Sequence, residues 1–153
     1  MGDAPNAALN AAHAASLRSM QHVMGKSKAK WLELFADDAC IEDPVGVSPL
    51  DASGQGHRGR AAVEAFWDNN IAPNEFVFNI VKSIAPEGSS EVANVGQIVT
   101  RVASFKSTTV TNGIFVYKVD AAGKIASLRA FYHFQDMLKS TTRWPRPSSS
   151  GKL

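Results

Sequence analysis

Two periods divide the chain. Up to about Ala72 apolar residues recur at helical spacing, and from Phe76 onward they fall on alternate positions. In the first part, the alanine-rich stretch Ala4 to Met24 predicts a helix that Asp3 can cap and Gly25 can end. Ser27 can open a second helix whose Trp31, Leu32, Leu34 and Phe35 share one side, with Asp37-Asp38 closing it. Cys40 to Asp43 reads as a short strand stopped by Pro44, and Val45 to Gly59 as a loop rich in Gly, Ser, Asp and Pro. A third helix is predicted from Arg60 to Asn70, with Val63, Phe66 and Trp67 on one face.

In the second part, Phe76, Phe78 and Ile80 alternate with Val77, Asn79 and Val81, and Val92 to Phe105, Thr108 to Val119 and Ile125 to Phe134 make three more long strands. Ala85 to Ser90 and Asp120 to Gly123 read as hairpin loops. Helices confined to the region before Ala72, then strands joined by hairpins, predict an α+β domain: an antiparallel sheet with helices on one face.

Length and composition narrow the class. A chain of 153 residues, 44% hydrophobic and 20% charged, has enough apolar content for one folded domain. We place that domain at residues 1–140 and expect the Pro- and Ser-rich segment 141–153 to fray. The single Cys40 excludes a disulfide-stapled module and argues against a thiolate zinc site. A formal charge of +2 is too small to hold a phosphate backbone, so no nucleic-acid partner is expected. The weakly polar stretch Ala7 to Leu17 is broken by Asn10, His13 and Ser16, so no membrane span is expected. The start carries Asp3 rather than a basic segment and a Leu-rich core, and a cytoplasmic location is the expectation.

The local sequence with most chemistry is Ile41-Glu42-Asp43-Pro44. In a strand, Asp43 shares the face of Ile41, and Glu42 takes the other. Either the Asp43 carboxylate enters the apolar interior, where burial raises its proton affinity towards a range useful for proton transfer, or its oxygens cap the loop that follows. No His, Cys and carboxylate cluster stands at metal-ligand spacing, and no Gly-rich phosphate loop precedes a helix. We expect no metal and no cofactor.

Phe35 to Gly46, Gly59-Arg60, Phe66-Trp67 and the late hairpin Val116 to Ile125 ending at Phe131-Tyr132 resemble the ketosteroid isomerases of the nuclear-transport-factor-2-like (SnoaL-like) superfamily. The resemblance implies a cone-shaped roll: a curved, mostly antiparallel sheet with about three N-terminal helices on its concave side, around a deep apolar pocket. It implies a homodimer through the outer sheet face and a small hydrophobic ligand, a steroid above all. In that family the Asp before Pro is the base that moves a proton from C4 to C6 of a 3-oxo-Δ5-steroid, and Asp43 stands at its place.

Two departures accompany this match. The family's oxyanion tyrosine falls at Arg18 or Ser19, and its protonated aspartic acid at Phe115. Ser19, three residues from His22 on the first helix, is a candidate substitute donor, Tyr132 reads either as a second donor or as a pocket wall, and Trp67, Phe66, Phe115 and Tyr117 are expected to line the pocket. Three activities stay open: steroid Δ-isomerase, steroid binder with weak or no turnover, and SnoaL-like dehydratase, lyase or cyclase.

Overall fold

Asn10 accepts the His13 backbone N–H through its side chain at 2.7 Å and so starts helix α1 (Ala11–Met24). The structure, a computed structural model, describes residues 10–145, and the cap expected at Asp3 lies outside them. Ala12, Ala15, Ser16, Ser19, Met20 and Val23 are buried along one stripe of α1. Gly25 closes α1 by donating its N–H to the Gln21 carbonyl at 2.9 Å. Helix α2 (Lys28–Glu33) buries Trp31, and Ser27 precedes it without a side-chain cap.

The next strand starts earlier than its sequence indicated. β1 spans Phe35–Glu42, so Asp37 and Asp38 lie on a strand and do not close a helix. Phe35 pairs with Ile125 and Cys40 with Ser127; the register slips between them. That irregularity leaves Asp37 and Asp38 exposed while Ala39, Cys40 and Ile41 are buried. β2 (His57–Arg58) pairs antiparallel with β1. Helix α3 (Arg60–Phe66) continues into a π-turn at Trp67–Ile71. Lys26 closes that end, its ammonium donating to the carbonyls of Ile71 at 2.5 Å and of Asn74.

The long strands follow as β3 (Asn74–Ile84), β4 (Glu91–Val102), β5 (Ser107–Val119) and β6 (Ile125–Phe131). Helix α4 (Phe134–Lys139) and β7 (Thr142–Arg143) come last. The sheet order is β2-β1-β6-β5-β4-β3, with β7 on β5; among the described residues only the β1–β6 pairing is parallel. The fold is thus the expected α+β roll, a curved, unclosed sheet with helices packed over one side.

Two corrections concern the second half of the chain. Helices are not confined to its first part: α4 follows the last long strand, its Phe134, Met137 and Leu138 at helical spacing lining the space above the sheet. Thr142 and Arg143, in the segment expected to fray, pair with Thr108 and Ser107.

Candidate active site

The helices leave the inner face of the sheet partly open, and a cavity of about 770 Å³ lies there, within the size range of small-molecule sites. Strand parity decides its walls. Phe115 and Tyr117 of β5 face inward with Val92 and Asn94 of β4 as cross-strand partners. Glu42 points the other way and pairs with the Arg129 guanidinium at 2.6 Å. Asp43, the next residue, turns inward and lines the cavity. Two bonds hold that turn: Val45 donates its N–H to the Ala130 carbonyl at 2.8 Å, and Gly59 donates to the Ala39 carbonyl at 2.8 Å.

Around Asp43 the groups are ordered by burial. Burial pushes its carboxyl above the ordinary value, while the Tyr132 hydroxyl within its reach and then the nearby His57 pull it down. Tyr132 is itself pushed well above an ordinary phenol, by burial first and then by the Asp43 charge. Tyr117 is pushed up to about 12, again chiefly by burial. Both phenols therefore keep their protons and remain donors across the neutral range.

Ser19 completes the set. Its hydroxyl oxygen accepts from Trp31 Nε1 at 3.0 Å and from the Tyr117 hydroxyl at 3.4 Å. Two donors fill the two lone pairs of a hydroxyl oxygen, which leaves its own hydrogen free to point elsewhere. Ser19 lines the cavity, so that hydrogen has the cavity to point into.

The residues singled out from sequence thus separate. Asp43, Ser19, Tyr132, Tyr117, Phe115 and Phe66 all line the cavity. Trp67 does not: it is buried with its ring 5.2 Å from Trp31. Trp31 stands in the wall instead. The two rings are in contact and both are buried, but only that of Trp31 meets the cavity.

His57, read as a loop residue, pairs across β1 with Ile41 and rests its ring 5.2 Å from Phe66. Its Nε2 is buried without a partner among the described residues. The signal that could have found it is its place between Gly56 and Gly59, where a short strand facing Ile41 would turn it inward. Among the described residues no group of three or more His, Cys, Asp or Glu could hold a metal ion. None of their helices is long and apolar enough to cross a membrane.

Residues 17–128 match the SnoaL-like domain. The chain belongs to the SnoaL-like family. A steroid Delta-isomerase of Nocardioides simplex is 33% identical to this SnoaL-like protein over 133 residues, covering 82% of this chain and 92% of the relative. The crystal structure of a Delta 5-3-ketosteroid isomerase from a Mycobacterium species superposes with a TM-score of 0.78 at 32% identity, over 86% of this chain and 97% of that one. A Mycobacterium tuberculosis protein solved in complex with estradiol-17beta-hemisuccinate does so with a TM-score of 0.77 at 31% identity, over 86% and 98% of the two chains. The SnoaL-like fold thus carries, in these relatives, an isomerase and a steroid complex.

Proposed function

We propose that this protein is a cofactor-free steroid Δ-isomerase, or acts in the same way on a similar hydrophobic ketone. The observation that carries the reading is an Asp43 carboxyl, raised by burial, on the wall of an apolar cavity that also holds the Ser19, Tyr117 and Tyr132 hydroxyls. The Asp43 carboxylate removes the proton from C4 of a 3-oxo-Δ5-steroid and delivers it to C6; the double bond moves into conjugation with the ketone, and Asp43 returns to its starting charge. Between the two transfers the ketone oxygen carries negative charge. Ser19 donates to it, and the Trp31 and Tyr117 bonds into the Ser19 oxygen fix the direction of that donation. Tyr132 holds the Asp43 carboxyl in place.

Conversion of 5-androstene-3,17-dione, followed by the ultraviolet absorbance of the conjugated product, tests this. Asp43→Asn keeps the shape and removes the base; turnover is expected to fall about 10²–10⁴-fold with steroid binding retained. Full turnover in Asp43→Asn means that Asp43 is not the base.

A second reading, binding with little or no turnover, is favoured by Phe115, which brings an apolar ring where the resemblance places an acid. Its signature is steroid binding by the parent with no product formed.

A further inference from the structure

The cavity has a second polar end that proton transfer at Asp43 does not use. β5 turns Ser107, Thr109 and Thr111 into it, and Thr100 of β4 stands opposite Thr109. Ser107, Thr109 and Thr111 are buried, and all four hydroxyl-bearing residues line the cavity. β7 brings Arg143 directly opposite Ser107, and Arg143 lines the cavity as well.

Among the described lining residues, Arg143 is the only cation and Asp43 the only acid. Arg60, Arg101 and Arg129 are engaged by Asp37, Glu75 and Glu42; Arg143 has no such partner among the described residues.

The two charges stand far apart. Phe115 marks the level of Asp43, because its partner Ala130 takes the Val45 N–H. A strand advances roughly 3.3 Å per residue, so the run from Phe115 to Ser107 covers on the order of 25 Å, less the shortening that sheet curvature brings. A four-ring nucleus with its ketone at Ser19 ends short of Ser107 and Arg143, and only a substituent on its far ring reaches them. Hydroxyls beside a guanidinium suit an anionic oxygen group, which both can bind with charge-assisted hydrogen bonds. The same group is repelled at the Asp43 end, so the pair of charges also fixes which end of the ligand enters first.

We propose that the ligand is a polycyclic ketone with a carboxylate-bearing side chain on the ring farthest from the ketone, and that Arg143, Ser107 and Thr109 hold that carboxylate. The proposal rests on the reading of the Asp43 end as the ketone site.

Calorimetric titration of the full chain with three probes tests it: 3-oxochol-4-en-24-oic acid, its methyl ester, and 4-androstene-3,17-dione. The acid is expected to bind about tenfold more tightly than the ester. Arg143→Gln is expected to bring acid and ester together while leaving the dione unchanged, and the dione thereby reports that the variant is folded. Thr109→Val is expected to weaken the acid and spare the dione. An acid no tighter than its ester, or a preference that survives Arg143→Gln, overturns the carboxylate site while dione binding leaves the ketone site standing. If none of the three binds, the ketone reading falls and this proposal falls with it.

Discussion

Asp43 is held by surroundings that favour its protonated form. Burial raises its carboxyl above the ordinary 3.8, against the pull of Tyr132 and then of His57. The native state therefore binds the proton more tightly than the unfolded chain, and the contribution of Asp43 to stability is lost as pH rises through the raised value. Asp43→Asn has no such dependence. Its melting temperature relative to the parent is expected to be higher at about pH 7.5 than at about pH 4.5, read by circular dichroism; an equal difference at both would show that the carboxyl is not raised. Turnover has the opposite sense: the base must be ionised, so activity falls as pH drops through that same value, with its acid limb above the usual carboxylate range. At this scale alternation carried much of the information. Ile41 and Asp43 share parity, as do Phe115 and Tyr117, and each pair turns inward. Helical spacing brings a side chain to the inner side without saying which of two touching rings meets the cavity, which is why Trp67 was expected in a wall that Trp31 fills. Nor does it show a hydroxyl's partners: the Trp31 and Tyr117 bonds to Ser19 join residues 12 and 98 positions away.

Two glycines allow neighbouring strands to approach closely. Gly96 and Gly113 face each other across β4 and β5 in the middle of the sheet. A Cβ on Gly113 would stand 2.5 Å from the Phe131 carbonyl oxygen and 3.1 Å from the Tyr132 Cβ. Gly113→Ala must therefore push away the end of β6 that carries Tyr132 towards Asp43. We expect it to cost about 1–3 kcal/mol in chemical denaturation and to lower turnover more than it lowers steroid affinity; unchanged stability and rate would mean that the close approach is not a constraint. The long strands were legible because half-buried sheets repeat every second residue. The early start of β1 was hidden by Asp37-Asp38, whose exposure comes from a slip in pairing with β6. Helix α4 was hidden by its length of six residues, which gives helical periodicity little more than one turn to show itself.

Taken as a whole, the molecule has an outer sheet face whose apolar residues no described element covers. Val77, Val81, Ile114 and Phe131 are exposed there, with Val81 at 80%, around an amide ladder running from Asn79 through Gln97 to Asn112. Such a patch marks an association surface, and we propose that a second copy of the chain covers it. Sedimentation at micromolar concentration is expected to show a dimer that Ile114→Lys and Val81→Lys together convert to a monomer; a parent that sediments as a monomer would overturn this. The inner side has a different outward sign. The Trp31 indole lines the cavity, donates to Ser19 and lies 5.2 Å from the buried Trp67. A guest that engages the Ser19 hydroxyl changes the polarity around an excited indole, and the nearby second indole shares its energy. Occupancy of the cavity is thereby written into the intrinsic fluorescence of the protein, so that a ligand with no chromophore and no turnover still announces itself as a change in tryptophan emission.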